Sequence, residues 1–247
     1  MRYLILSDIH ANRTALDAAL DAARNRWQEA VCLGDLVGYG PDPNEVVDRV
    51  REIGATTIRG NHDKAVSGIE EGEDFNPIAQ FAVQWSRERV TGENREYLTN
   101  LPPGPRTLDG FSYLHGAFHD EDEYVFSPAL AVDGLLNAPT PVSFFGHTHL
   151  QGGFSFRDDN IVVLHPQPVG GKPFSTVTLE PGTKYLLNPG SIGQPRDGDP
   201  RAAFAIFDSD AQAVEFWRVP YDIQAVQERM TQAELPEPLI LRLSFGR

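Results

Sequence analysis

Arg2-Tyr3-Leu4-Ile5-Leu6-Ser7-Asp8-Ile9-His10 opens with an apolar run that stops on a charged triplet. Tyr3–Leu6 reads as a buried strand, since a short continuous apolar run ended by polar residues suits a strand covered on both faces. Beyond it Leu16, Ala19, Leu20 and Ala23 recur at helical spacing, with Asn12 placed to cap the helix. The same grammar then repeats. Ala30–Leu33 is a second strand that stops on Gly34-Asp35, and the spacing of Val46, Val47, Val50 and Ile53 predicts a helix over Pro41–Ile53. Thr56–Ile58, rich in β-branched residues, is a third strand running into Gly60-Asn61-His62-Asp63. Three strand–helix repeats argue for a layered, partly parallel α/β start.

The middle of the chain reads as helical over Ile78–Val90 and Asn94–Leu101, until Pro102-Pro103-Gly104-Pro105 breaks it. Strands follow at Phe111–Leu114, Val142–Phe145, Gly153–Phe156, Ile161–Leu164, Tyr185–Leu187, Ala203–Phe207 and Val214–Trp217, with one helix near Pro128–Leu136. So many strands require two sheets packed face to face, with helices outside. A tail over 220–247 begins with a helix-like stretch, Ile223–Thr231, and ends in Leu239–Phe245, which suits an added strand or a dimer contact. No repeat or boundary divides the chain, so residues 1–247 are expected to form a single domain.

With 35 acidic against 21 basic residues the formal net charge is −14, which argues against tight binding to duplex nucleic acid, where Lys and Arg must neutralise phosphates. A small phosphorylated substrate remains compatible, because bound cations invert the local field. Cys32 is the only cysteine, in the apolar run before Gly34, and is expected to be a buried small hydrophobe in a reducing cytoplasm. The first apolar run is too short for a signal peptide or membrane span, so no membrane association is expected, and homo-oligomerisation is left open.

Five motifs carry the chemistry: Asp8-Ile9-His10, Gly34-Asp35, Gly60-Asn61-His62-Asp63, His115-Gly116 and Gly146-His147-Thr148-His149, which hold five of the seven histidines. Each alone is weak evidence. Most follow a strand, so their side chains should converge on one edge of a sheet, as a two-metal hydrolytic centre requires. In order and residue type the set resembles the calcineurin-like metallophosphoesterase family over about residues 1–219. That resemblance implies a four-layered α-β-β-α sandwich of two mixed sheets flanked by helices. It implies one ion on Asp8, His10, Asp35 and His149, and a second on Asp35, Asn61, His115 and His147. It further implies a metal-bridging hydroxide as nucleophile and His62 as the catalytic acid that protonates the leaving oxygen. Mixed nitrogen and oxygen donors suit divalent Mn, Fe, Zn, Ni or Co. Two divalent ions against two aspartates and one hydroxide leave the centre net positive and attractive to a phosphate. Asp63 can orient His62 or cap the adjacent loop.

The chain departs from the family's Ser/Thr protein phosphatases after the second strand. Their Gly-Asp-X-Val-Asp-Arg-Gly is here Gly34-Asp35-Leu36-Val37-Gly38-Tyr39-Gly40, with Gly38 in place of the acid and Tyr39 in place of the phosphate-gripping arginine. This version is similar to small prokaryotic phosphodiesterases, as is Asn188-Pro189-Gly190-Ser191. A phosphodiester of nucleotide type or another small diester is therefore the expected substrate. A phosphomonoester, phosphoprotein included, is the alternative, and a non-catalytic metal-binding scaffold comes third. Asn12, Arg13 and Arg196 are candidate substrate contacts, with Arg201 a further cation able to hold a phosphate oxygen. His119, in the acidic run His119–Glu123, suits a solvated loop or the mouth of the site, and His165 a structural role.

Overall fold

Alternation along the first strand sets the layering. The computed structural model describes residues 1–168 and 170–247, and in it Arg2–Leu6 forms β1 with its four apolar side chains fully buried. Leu4 and Leu6 face one hydrophobic cluster and Tyr3 and Ile5 another, because successive strand residues point to opposite faces. Helix α1 (Arg13–Ala22) follows, then β2 (Glu29–Cys32), α2 (Pro43–Glu52) and β3 (Thr56–Thr57), with β1, β2 and β3 mutually parallel. Asn12 caps α1, its Oδ1 accepting from the Ala15 amide at 3.0 Å.

Three helices come next: α3 (Asn61–Ser67), α4 (Pro77–Arg89) and α5 (Gly92–Thr99). The second half supplies β4 (Arg106–Leu108), β5 (Phe111–Tyr113), α6 (Pro128–Asn137), β6 (Val142–Phe144), β7 (Gly152–Arg157), β8 (Asn160–Leu164), β9 (Phe174–Thr178), β10 (Lys184–Asn188), β11 (Ala202–Asp208) and β12 (Ala213–Val219). They complete two mixed six-stranded sheets, ordered β3-β2-β1-β11-β12-β9 and β4-β5-β6-β10-β7-β8. Between the sheets lie Tyr3, Ile5, Val31, Phe111, Phe144, Leu187, Phe207 and Phe216, with the Tyr3 and Phe111 rings edge to face at 4.9 Å. Leu16, Val46 and Val50 from α1 and α2 cover the outer face of the first sheet, and Ala131 and Leu135 of α6 cover that of the second. The four-layered α-β-β-α sandwich is therefore present.

The tail corrects the sequence-based expectation. Leu239–Phe245 is not a strand. It forms α8 (Glu237–Arg242) and a 3₁₀ turn, Leu243–Phe245, behind α7 (Ile223–Gln232). The alternation of Leu239, Leu241 and Leu243 suggests a strand, but Leu239 and Leu243 are buried at helical spacing while Leu241 is exposed. The buried pair packs with Val226 and Met230 against Tyr39, Ala79, Ala82 and Trp85. Two further strands and one helix lie outside the sequence reading. β4 and β9 are edge strands with no fully buried residue, so they lack an apolar signal, and α3 has only seven residues. Among the described residues no helix is long and apolar enough to cross a membrane.

Candidate metal centre

The loops after β1 and β2 are laced together by backbone hydrogen bonds, Asp8 N to Gly34 O at 3.1 Å and His10 N to Asp35 O at 2.9 Å. The chain turns sharply to aim its donors. Asp8, His10, Asp35, His147 and His149 all have left-handed φ, between 47° and 64°. Such conformations cost non-glycine residues about 1–3 kcal/mol each and persist only where surrounding bonds impose them. Asp63 is one source of that imposition. Its carboxylate accepts from the amides of Gly60, Asp35 and Leu36 at 3.0, 2.8 and 2.9 Å, so it pins the Asp35 loop and makes no bond to His62. Gly60 is required by close approach, since a Cβ there would lie 2.2 Å from Asp35 Oδ1.

One donor atom each from Asp8, His10, Asp35 and His149 lies within 4.8 Å of the others, and Asp35, His115 and His147 form a second such group. Asp35 belongs to both: its Oδ2 is 3.5 Å from His10 Nε2 and 3.6 Å from His115 Nε2. Asn61 adds an amide oxygen 3.4 Å from His115 Nε2. All seven expected ligands therefore meet at one place.

Each histidine's tautomer is set by a backbone carbonyl. Nδ1 of His10, His115 and His149 donates to Val37, Leu33 and Gln194 at 3.1, 2.8 and 2.6 Å, leaving Nε2 as the free donor. His147 is reversed: its Nε2 donates to Asp122 O at 2.9 Å, so Nδ1 is free. The decisive contact is between His10 Nε2 and His149 Nε2, 3.0 Å apart. With both Nδ1 protons held by carbonyls, two lone pairs face each other, which is repulsive unless a cation is shared between them. Burial holds both rings well below the ordinary histidine value, so they are neutral. Burial also pushes the Asp8 carboxyl up to about 7, and burial with the neighbouring Asp63 raises Asp35 well above its usual range. Buried carboxylates and converging neutral imidazoles together fit divalent metal ions, whose charge offsets the carboxylates.

His62 stands beside this cluster without joining it, its ring centroid 4.8 Å from that of His10. Its Nδ1 is buried with no partner among the described residues, and Gly38 backs onto it, where a Cβ would come within 2.3 Å. Burial first, then the charge of Arg196, push this ring well below its usual value. His62 lines a cleft of about 560 Å³ with Tyr39, Asn61, Phe75, Tyr124 and His147.

The candidate substrate contacts separate clearly. Asn12 is engaged in its helix cap and in bonds to Gly193 O and the Tyr221 hydroxyl. Arg13 turns to Asp17 at 2.6 Å and to the Glu45 carbonyl, and Arg201 to Asp199. Arg196 has no carboxylate partner among the described residues. Its Nε is buried and unpaired, and its guanidinium lies 5.9 Å from the Tyr39 ring centroid. His119 is exposed and pairs with Glu123 at 2.7 Å, as a solvated loop would have it. Sequence reasoning missed Phe75 and Tyr124. Tyr124 stacks on His147 at 3.7 Å, but a lone tyrosine in an acidic loop gives no signal of that.

Residues 1–212 match the calcineurin-like phosphoesterase superfamily domain. An uncharacterised protein of Methanocaldococcus jannaschii is 36% identical over 251 residues, covering 98% of this chain and 97% of its own length. Phosphodiesterase YfcE of Escherichia coli is 24% identical over 226 residues, 87% of this chain and 91% of that protein. A crystal structure of a metallophosphoesterase from Sphaerobacter thermophilus aligns with a TM-score of 0.87 at 40% identity, covering 100% of this chain and 99% of that one.

Proposed function

The chain belongs to the calcineurin-like phosphoesterase superfamily, and on that footing we propose that it is a metal-dependent phosphoric ester hydrolase that takes two divalent ions and prefers a small phosphodiester. The observation that carries this reading is Asp35, buried and shared between two groups of candidate metal donors. Asp8, His10, Asp35 and His149 would hold one ion, and Asp35, Asn61, His115 and His147 the other. Two such ions supply a water acidified to a pKa of about 7 and a clamp for phosphate oxygens. Mn, Fe, Zn, Ni and Co all suit the donor set.

The remaining roles fall to the chain's own side chains. With Nδ1 buried against Gly38, His62 has only Nε2 to offer the cleft, and that nitrogen is placed to protonate the leaving oxygen. A phosphate anion beside the ring favours its charged form and works against the effect of burial. Arg196, beside Tyr39 and without a carboxylate partner among the described residues, is the cation we assign to a phosphate oxygen.

The cleft supports the diester. It is lined by Glu70, Glu71, Glu73, Asp74 and Asp122 and by no Lys or Arg, so it disfavours a chain of further phosphates and accepts an uncharged second ester group. YfcE, a relative named as a phosphodiesterase, points the same way. A single observation favours the monoester instead: the Arg196 guanidinium lies 5.9 Å from the Tyr39 ring centroid, where it would supply the cation that Tyr39 removes. Matched kinetics with bis(p-nitrophenyl) phosphate and p-nitrophenyl phosphate, under one metal and one pH, separate the two. We expect kcat/KM to favour the diester about tenfold, or ~1.4 kcal/mol. A clear monoester preference sinks the diester reading and leaves the phosphatase. No turnover of either, with metals bound, leaves the scaffold.

We further read residues 1–247 as one functional unit, because the tail helices pack against Tyr39 of the cleft. A reducing cytoplasm is the proposed location, in keeping with the single buried thiol of Cys32. Duplex nucleic acid is not a proposed partner of so acidic a chain.

A further inference from the structure

Lys64 is a buried cation that the reaction does not use. It lies in α3 two residues past His62, its side chain is 2% exposed, and its Nζ sits among Asp122 Oδ2, Glu70 Oε1 and Glu121 Oε1 at 2.5, 3.0 and 3.3 Å. Burying a lysine is costly unless carboxylates surround it, so the arrangement has to be built. On one side the chain folds back after α3. The amides of Gly68 and Ile69 donate to the Lys64 carbonyl at 3.1 and 3.0 Å, which brings Glu70 over the ammonium. On the other side the irregular segment after His115 delivers Glu121 and Asp122.

Asp122 joins this ammonium to the metal centre. Its side chain is on Lys64 and its carbonyl is the acceptor for His147 Nε2. The carbonyls that hold His10, His115 and His149 belong to Val37, Leu33 and Gln194, all buried. Asp122 alone among the four is partly exposed. His147 is thus the donor whose support needs a tether.

We propose that Lys64 is a positioning residue: by anchoring Asp122 it fixes the tautomer and ring orientation of His147, and so sets the affinity of the Asp35–His115–His147 group for its ion. This rests on the two-ion reading above. Partners of ligating histidines of this kind typically govern metal affinity by about 10–100-fold.

Calorimetric titration of the metal-free full chain with Mn²⁺ alone tests it. The wild type should show two associations. Lys64→Met should retain the first and weaken the second by about 10–100-fold, and Lys64→Arg, which keeps the charge, should recover most of the loss. Asp122→Ala cuts the same link from a side chain that is 40% exposed, so it carries the test even if Lys64→Met does not fold. It should weaken the second association selectively as well. An unchanged second association in a folded variant overturns the proposal. So does equal weakening of both, which is what a merely structural lysine would give. A single association in the wild type overturns the two-ion reading itself, and it is recognised before any variant is compared.

Discussion

Asp35→Asn should cost both metal sites together, and turnover with them. Asp35 is 1% exposed, and its Oδ2 lies within 3.6 Å of Nε2 of both His10 and His115. Its Oδ1 accepts from the His62 amide at 2.9 Å. Asparagine fills the same space and can keep that one bond, but it carries no charge and puts an NH₂ group where the other oxygen faced two imidazoles. The expected result is a fall of about 10²-fold or more in affinity for each ion, with diester turnover falling at least as far. Stability of the metal-free protein should move the opposite way. Because burial and Asp63 raise the folded carboxyl well above its unfolded value, the wild type loses stability as pH climbs out of the ordinary carboxylate range. The asparagine variant lacks that contribution, so its melting temperature at neutral pH should equal or exceed that of the metal-free wild type. Metal analysis, turnover and melting on one preparation check all three. Full occupancy with full activity in the variant would remove Asp35 from the centre.

His62→Ala should separate chemistry from metal binding. His62 makes no hydrogen bond to a donor residue through its side chain, so both ions should remain. An acid that protonates a leaving oxygen contributes about 10²–10⁴-fold, and kcat should fall by that much for a diester of a simple alcohol. Nitrophenolate leaves with little help, so for bis(p-nitrophenyl) phosphate the loss should shrink well below this range. A variant that loses metal, or whose deficit is the same for both leaving groups, contradicts the role given to His62.

The legible parts of the fold share a physical cause. β1, β2 and β11 are buried on both faces, so apart from one terminal residue each their sequences are apolar runs, and α1 and α2 show their buried stripes at helical spacing. β9 is an edge strand with mixed exposure, and α8 hides a helical pair inside an alternating run, so pattern alone misreads both. The seven candidate donors were legible as a set because each falls at or just beyond the end of an element whose place the core dictates. The arginines were not. Arg13 adjoins the first motif yet swings to Asp17, whereas Arg196, far along the chain, lies 5.9 Å from the Tyr39 ring centroid with no carboxylate partner among the described residues. Only folding reveals which of two cations has found a carboxylate partner.

Turnover of bis(p-nitrophenyl) phosphate, followed as Mn²⁺ is added stepwise to metal-free protein, tests the central claim most directly. The expected curve starts at no detectable hydrolysis and saturates at about two equivalents per chain, as a two-ion centre requires. Hydrolysis by the metal-free chain, or saturation at a single equivalent, would contradict a shared Asp35 holding two ions.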